Sequence, residues 1–238
     1  MKRFKKFIST LFAYSGYQIS RIGNAEEVHW SGLSSAEIRR LFHFDCFNKT
    51  LNLDGVYVEC GVGNGGTLVL MSNLLEEYKS SKKIWAFDSF EGFPVPSHED
   101  GNFFTSNFAR YNDEYTQYSL DFVKKNILSL SCNKNALDRM EFIKGFIPDS
   151  LKAYDESKIS LMNLDLDLYK SSSDALDFFW PHLQDEGIIM LDEYEFGKDL
   201  DKWPGAKKAI DEFCKKKNIQ VNKHYTGRYF LKKLSNII

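Results

Sequence analysis

The sequence lacks the features that would mark a disulfide-rich, nucleic-acid-binding or membrane-spanning protein. Its four cysteines are widely separated, with no CxxC pair and no histidine at zinc-ligand spacing, which predicts free thiols in a reducing compartment. Lys and Arg total 31 against 33 for Asp and Glu, so no basic field indicates nucleic-acid binding. No segment approaches the roughly 18 consecutive apolar residues of a membrane span. We therefore expect a cytoplasmic protein whose partners are small or local.

The length of the chain limits the number of domains. Its 238 residues, 43% of them hydrophobic, suffice for one substantial core and are few for two. No internal repeat or low-complexity tract divides the chain. We predict a single domain over 1–238, with an N-terminal helical extension over 1–45 and a lid-like insertion over 94–118.

The first residues combine basic and apolar side chains at helical spacing. A signal peptide is disfavoured because Ser9 and Thr10 interrupt the apolar run and no convincing cleavage site follows. An amphipathic helix would pack on the protein's own core or on a second subunit, which favours a homodimer. Peripheral contact with an anionic membrane surface is the alternative. The apolar stripe consists of Phe4, Phe7, Ile8, Leu11 and Phe12.

Strand-like and helix-like segments alternate through most of the chain. A helix capped by Ser34 or Ser35 comes first, and five short β-rich runs then follow, separated by helical stretches that include SLKAYDES. A hairpin around Thr226 and Gly227 ends the pattern. This order predicts a doubly wound α/β fold with a mainly parallel, Rossmann-like, seven-stranded sheet and an antiparallel C-terminal hairpin. The five runs are GVYVEC, KIWAFD, MEFIKG, ISLMNLDLD and GIIMLDEY.

Acidic residues stand at the carboxyl ends of four of these five strands. In an open parallel sheet, ligands bind beyond those ends, so the acids are candidates for a ligand site rather than ordinary surface charges. The remaining strand ends at Gly145. The acids are Glu59, Asp88, Asp165 with Asp167, and Asp192 with Glu193.

The glycine loop after the first strand has more than one interpretation. Gly61, Gly63 and Gly66 match GxGxxG, which in a dehydrogenase would bind a pyrophosphate at the start of a helix. Tyr154 and Lys158 have the spacing of the acid/base couple of short-chain dehydrogenases. They lie in a polar stretch before a strand, however, whereas that chemistry needs them on a long helix.

S-adenosylmethionine accounts for more of the same residues. Gly61 and Gly63 let the backbone approach its methionine part, and Glu59 can meet its amino group directly or through water. Asp88 can accept both ribose hydroxyls. We also assign Ser89, next to Asp88, and Gly145 to this cofactor site.

The acids of the last two strand ends predict a cation. Asp165 and Asp167 lie two apart on one side of an extended segment, and Asp192 and Glu193 are adjacent. Carboxylates that converge without a cation repel each other, and all-oxygen ligands favour Mg²⁺ or Mn²⁺. If one set instead faces solvent or caps a helix, no metal is required.

Five segments together resemble a known family. VYVECGVGNGGT, AFDSFEGFP, LMNLDLDLY, GIIMLDEY and GAKKAIDEF, in this order, resemble the TylF/MycF-type (macrocin and mycinamicin) sugar O-methyltransferases, over about Gly32 to Phe213. The resemblance implies S-adenosylmethionine and Mg²⁺ as cofactors and a sugar hydroxyl as acceptor, on a surface glycan, nucleotide-sugar or natural-product glycoside. It also implies that Asp165 is both a metal ligand and the base, with Asp192 a second ligand. Glu193 stands where the family usually has a third ligand, Asp.

Three alternatives remain open. A metal-independent methyltransferase would use a histidine base, either His98 near the aromatic-rich insertion or His224 in the hairpin. An NAD-dependent oxidoreductase would use the same glycine loop. A noncatalytic scaffold would keep the fold and bind a partner through the basic N-terminal helix.

Overall fold

The computed structural model describes residues 32–194 and 203–235. The predicted amphipathic stripe over 4–12 lies outside these residues. Within them, the strands are β1 (Val56–Cys60), β2 (Ile84–Asp88), β3 (Met140–Lys144), β4 (Ile159–Leu164), β5 (Leu183–Leu191), β6 (Asn222–Lys223) and β7 (Tyr229–Lys232). The α-helices are α1 (Ser35–Thr50), α2 (Gly66–Glu77), α3 (Gly101–Thr116), α4 (Leu120–Leu130), α5 (Tyr169–Phe179) and α6 (Pro204–Lys217).

The strands form one sheet in the order β3-β2-β1-β4-β5-β7-β6. The first five are parallel to their neighbours, while β7 is antiparallel to β5 and to β6. The chain adds strands on one side of β1 and then returns to add β4 and β5 on the other side. This reversal between β1 and β4 is the switch point at which doubly wound sheets bind ligands. The predicted fold class and the C-terminal hairpin are confirmed.

The strands are buried on both faces because helices cover both. Along β4 all six residues are buried, as expected for an internal parallel strand. Met162 points to a core shared with α5 and α6, and its neighbour Leu161 to a core shared with α1, α2 and α4. Successive residues therefore alternate between two hydrophobic layers, so the ligand site can form only at the edge where the strands end.

Helix α1 begins where the sequence predicts. The Ser34 hydroxyl accepts a hydrogen bond from the Glu37 backbone N–H at 3.3 Å, and the Glu37 carboxylate accepts one from the Ser34 N–H at 2.7 Å. This reciprocal pair is a capping box. The helix buries Phe42 and Phe47 and packs against β4 and β5. It thereby brings its polar residues to the carboxyl ends of those strands.

The predicted insertion contains a helix, and one other segment differs from the sequence prediction. The insertion over 94–118 contains a full helix, α3, after a short 3₁₀ turn, and buried Asp100 accepts the Tyr169 N–H at 2.7 Å at the start of α5. SLKAYDES forms only the 3₁₀ turn Asp149–Ala153 rather than a helix, because Tyr154 leaves the turn with extended backbone. None of the described helices is both long and apolar enough to cross a membrane.

Candidate active site

A cavity of about 640 Å³ opens at the carboxyl ends of the central strands. One end is formed by the glycine loop and the ends of β2 and β3, and the other by the ends of β4 and β5 and one face of α1. Of the predicted site residues, all but Glu59 line it: Gly61, Gly63, Asp88, Ser89, Gly145, Asp165, Asp192 and Glu193. The structure therefore brings the residues predicted to bind cofactor and metal to one continuous space.

Gly61 and Gly63 are required to be glycine for different structural reasons. A Cβ on Gly61 would lie 1.6 Å from the Asp165 carbonyl oxygen, so this glycine lets β1 and β4 approach at their ends. A Cβ on Gly63 would meet nothing within 4 Å, although its φ of +51° is left-handed. Gly63 thus faces the open cavity, where a ligand can approach the backbone closely.

Asp88 ends β2 and binds the glycine loop. One carboxylate oxygen accepts the Val62 N–H at 2.7 Å and the Gly63 N–H at 3.3 Å, and the other accepts the Phe90 N–H at 2.7 Å. A carboxylate has about four lone-pair positions, so Asp88 keeps capacity for a ligand hydroxyl. Ser89 instead closes the following turn, because its hydroxyl donates to the Gly92 carbonyl at 2.5 Å.

Glu59 is buried beneath the glycine loop rather than exposed in the cavity. The Tyr57 hydroxyl and the Asn163 side-chain amide each lie 3.4 Å from its carboxyl group. Burial raises the pKa of Glu59 to about 8, with a smaller contribution from the charge of Asp88. Contact with a cofactor amino group stays a prediction, and a water or a small shift of the loop is needed to make it.

Three acids converge at the other end of the cavity. Oxygen atoms of Asp165, Asp167 and Glu193 lie within 4.8 Å of one another. Burial, followed by repulsion from the neighbouring carboxylates, raises the pKa of Asp165 and of Glu193 well above the usual range. Asp167 has a φ of +61°, a conformation that costs energy for a residue with a side chain and often marks a functional site.

Asp192, which the sequence places in the metal set, is held by two arginines. Arg228 donates to one carboxylate oxygen at 2.7 Å, and Arg39 lies 2.8 Å from the other. Although burial opposes it, the two guanidinium groups hold the pKa of Asp192 below its usual range. The geometric cluster therefore contains Asp167 where the sequence prediction has Asp192, and metal binding by Asp192 stays a prediction.

Sequence reasoning missed three cavity residues, Arg39, His43 and Arg228. Arg39 and His43 lie four residues apart on α1 and so project from one face of the helix. His43 is only 2% exposed, and its Nε2 atom has no hydrogen-bond partner among the described residues. Burial lowers the pKa of His43 to about 3, so the ring is neutral. Helical spacing after the Ser34 cap was the available signal for the Arg39–His43 pair.

The histidines proposed as alternative bases do not line the cavity. His98 is 87% exposed in its side chain and pairs with Glu99 at 2.9 Å. His224 is buried in the hairpin, where its Nδ1 atom lies 2.8 Å from the Thr226 hydroxyl. A metal-independent mechanism with either histidine as base therefore lacks the required placement.

The dehydrogenase couple is also absent from the cavity. Tyr154 follows the 3₁₀ turn, donates to the Ser157 carbonyl at 2.6 Å and packs against Phe87 and Phe179. Neither Tyr154 nor Lys158 lines the cavity. The oxidoreductase interpretation therefore loses its acid/base pair.

Aromatic side chains form a wall of the cavity. Tyr115, at the end of α3, packs edge-on against Phe93 with ring centroids 4.8 Å apart and against Tyr118 at 5.7 Å. Both tyrosines, Phe93 and Trp203 line the space near the acids. Part of the insertion thus contributes directly to the site, and its closure over a ligand stays a prediction.

The chain is similar to known proteins in sequence and in structure. A family model described as macrocin-O-methyltransferase (TylF) matches residues 31–227. A Streptomyces niveus protein named demethyldecarbamoylnovobiocin O-methyltransferase is 29% identical over 171 residues, which are 71% of this chain and 61% of that protein. A Streptomyces olivaceus protein named 8-demethyl-8-(2,3-dimethoxy-alpha-L-rhamnosyl)-tetracenomycin-C 4'-O-methyltransferase is 27% identical over 161 residues, which are 66% of this chain and 60% of that protein.

The chain thus matches about three fifths of the length of these two relatives. The solved structure of the O-methyltransferase NovP is similar at a TM-score of 0.69 and 22% identity, covering 98% of this chain and 99% of that one. At this identity the structural likeness shows the fold alone.

Proposed function

The chain belongs to the TylF macrocin-O-methyltransferase family, and from this premise we propose that it transfers a methyl group from S-adenosylmethionine to a sugar hydroxyl with the help of a divalent cation. One observation carries the proposal: a single cavity joins the glycine loop and Asp88 to the buried acids at the ends of β4 and β5. Cofactor and acceptor can therefore meet in the same space.

The cofactor end suits a nucleoside with a cationic amino group. Asp88 has about one lone-pair position available for a ribose hydroxyl, and the open side of Gly63 admits the methionine part. Glu59, through water or loop movement, supplies a carboxyl group for the amino group. Ser89 shapes the turn after Asp88, and Gly145 leaves room where β3 ends.

The acid cluster is chemically suited to a divalent cation. Its donors are all carboxylate oxygens, and two of the acids have pKa values raised by burial and mutual repulsion, which a cation would relieve. We propose Asp165 and Glu193 as ligands, with the third place taken by Asp192, as the family resemblance implies, or by Asp167, as the geometry allows. Bound Mg²⁺ or Mn²⁺ would supply Lewis-acid polarisation of the acceptor hydroxyl.

Asp165 is the proposed base. Its carboxylate stands at the acidic end of the cavity, where it takes the proton of the acceptor hydroxyl as the oxygen attacks the methyl group. Without a cation, burial and the neighbouring carboxylates raise its pKa; a bound cation would lower it again and keep Asp165 ionised, so that it can accept the proton. The remaining catalytic effect comes from holding the two reactants in line.

His43 and the aromatic wall are proposed to hold the acceptor. A neutral imidazole with an unpartnered Nε2 can exchange a hydrogen bond with a sugar hydroxyl, which both donates and accepts, once a small shift of the cavity wall exposes this buried atom. Tyr115 and Trp203 offer flat apolar faces for a sugar ring and help to exclude water. The name of the Streptomyces olivaceus relative refers to a rhamnosyl group, which supports a deoxysugar among the first acceptors to test.

The direct test is methyl transfer by the full chain. Purified protein is incubated with methyl-labelled S-adenosylmethionine and a panel of nucleoside diphosphate sugars, methyl glycosides and glycosylated natural products. Mg²⁺ or EDTA is added in parallel, and mass spectrometry locates the new methyl group. A sugar O-methyl product that forms with Mg²⁺ and not with EDTA supports the full proposal, and activity in EDTA removes the metal part.

Metal-independent methyl transfer is the second candidate. It is favoured because the guanidinium of Arg39 already supplies a positive charge beside Asp192, where a metal ion would otherwise do so. Calorimetric titration with S-adenosylmethionine and with NADH, with and without Mg²⁺, separates the remaining alternatives. Binding of NADH alone would support an oxidoreductase. Binding of neither would support a scaffold.

A further inference from the structure

We infer that Arg39 competes with the divalent cation for the acidic end of the cavity and thereby sets the affinity of the site for metal. Arg39 is in this view a positioning residue, because it acts through Asp192 and Asp165. The inference rests on the metal-assisted reaction proposed above.

The contacts of Arg39 place its charge among the acids. One guanidinium nitrogen lies 2.8 Å from Asp192, and the other terminal nitrogen lies 4.0 Å from Asp165. The same group interacts electrostatically with Asp167 and Glu193. The positive charge of Arg39 thus lies beside the cluster of Asp165, Asp167 and Glu193 and also beside Asp192, which the family resemblance adds to the ligands.

Both carboxylate oxygens of Asp192 are paired with a guanidinium while Arg39 is in place. Arg228 binds Oδ1 and Arg39 binds Oδ2. A cation that coordinates Asp192 would either displace a guanidinium or stand next to one, and a cation held by Asp167 instead would still stand close to the positive charge of Arg39. Either arrangement makes the two cations antagonistic.

Arg39 rather than Arg228 is able to withdraw. The Arg228 side chain is 2% exposed and enclosed by the hairpin and sheet, whereas that of Arg39 is 42% exposed. A long side chain on a helix surface can change rotamer and return its charge to water. A buried guanidinium that moved away from Asp192 would lose an ion-pair partner without gaining contact with water. A divalent cation would therefore replace the guanidinium of Arg39, on the α1 side of the site, rather than that of Arg228.

Arg40 supplies a matched control. It is adjacent on α1, lines the same cavity and carries the same charge, but its electrostatic interaction among the described residues is with Glu37 in the first turn of the helix, not with the acids of the cluster. Arg39→Gln and Arg40→Gln therefore change the net charge equally. Only the first removes a group that touches the acids.

The experiment measures Mn²⁺ binding to the full chain, without cofactor or acceptor, by electron paramagnetic resonance of free Mn²⁺. We expect Arg39→Gln to tighten binding about tenfold or more and Arg40→Gln to change it less than about threefold, because exposed charges are screened. Arg39→Lys, which restores a charge near the same place, should return the affinity to within about threefold of the wild type. Circular dichroism checks that each variant is folded.

A second measurement needs no variant. If Mn²⁺ displaces Arg39, α1 loses its tether to Asp192, so hydrogen exchange of peptides from its first turns should become faster in the wild-type chain. Unchanged or slower exchange there contradicts the inference.

Mn²⁺ binding distinguishes a failure of the Arg39 competition from a failure of the metal-assisted reaction. Equal or weaker Mn²⁺ binding by Arg39→Gln overturns the competition and leaves the metal-assisted reaction standing. Absence of Mn²⁺ binding by the wild type and by Arg39→Gln overturns both the competition and the metal part of the proposed function. Methyl transfer itself is then judged by the separate cofactor-binding and product assays.

Discussion

The backbones of Gly61 and Asp165 are in direct contact. A Cβ on Gly61 would stand 1.6 Å from the Asp165 carbonyl oxygen, and the Asp165 N–H donates to the carbonyl of Cys60 at 2.9 Å. The first glycine of the loop therefore joins the cofactor end of the site to the proposed base. Its role is to bring two strand ends together, whereas Gly63 keeps the cavity open.

Alanine substitutions separate these two glycines. Gly61→Ala should destabilise the fold severely, because the added methyl group meets backbone atoms that cannot move without breaking the β1–β4 pairing. Gly63→Ala should cost only roughly 1–2 kcal/mol for its left-handed φ. Thermal unfolding followed by circular dichroism measures both effects.

Cofactor affinity gives the complementary result. Gly63→Ala should fold and yet bind S-adenosylmethionine more weakly, because its methyl group enters the space assigned to the ligand. A Gly63→Ala protein with wild-type affinity would show that the cofactor does not approach this glycine.

Much of the fold follows from local sequence patterns. Alternating strands and helices predict the sheet because each short β-rich run is bounded by turn residues, and Ser34 with Glu37 marks the start of α1. Helix α3 was predictable and was missed, because Phe108, Tyr111 and Tyr115 fall at i, i+3 and i+7, and Phe108 and Tyr111 pack on the cluster of Leu168 and Trp203. SLKAYDES has helix-forming residues and yet stops after one 3₁₀ turn, where Tyr154 packs into the core instead.

The acids of the site were predictable because parallel strands end at one edge. What the sequence could not reveal is which side chains neutralise them. Arg39 and Arg228 are 189 residues apart in the chain, and only the packing of α1 and the hairpin on β5 brings both to Asp192. The same long-range packing encloses His43 beside the cavity.

Glu59 makes the stability of the ligand-free protein depend on pH. Its pKa is raised to about 8 in the folded chain, above an ordinary value near 4.5. Between these values the folded state retains a proton that the unfolded chain releases, so this group lowers stability as pH rises from about 4.5 to about 8. Glu59→Gln should flatten that part of the profile and be the more stable protein at pH 8.

Urea unfolding at several pH values measures the effect as the difference in the free energy of unfolding between wild type and Glu59→Gln. Glu141→Gln, at an exposed site on β3, serves as the control and should keep the wild-type slope. Parallel profiles for wild type and Glu59→Gln would mean that Glu59 is ionised in the folded protein.

Asp165→Asn tests the proposed base. The amide cannot take the proton of a hydroxyl, so turnover should fall by at least about 10²-fold. Affinity for S-adenosylmethionine should remain nearly unchanged, because the proposed cofactor contacts come from Asp88, Gly63 and Glu59 and not from the Asp165 side chain. Calorimetry and product formation are measured on the same preparation, with the surface substitution Asp174→Asn as the control. Substantial turnover by Asp165→Asn would assign the proton to another group.

His43→Phe tests the acceptor side of the site. Phenylalanine keeps an aromatic ring on α1 and removes the unpartnered nitrogen, so the KM for a sugar acceptor found in the product screen should rise about five- to tenfold, the value of one neutral hydrogen bond. Because the pKa of His43 is about 3, the ring does not titrate in the working range, and the pH profile of kcat should keep its shape. His43→Gln, which can still exchange a hydrogen bond, should recover part of the loss. An unchanged KM in His43→Phe, with the fold intact, would show that this nitrogen does not touch the acceptor, and a shifted pH profile would instead identify His43 as a proton carrier.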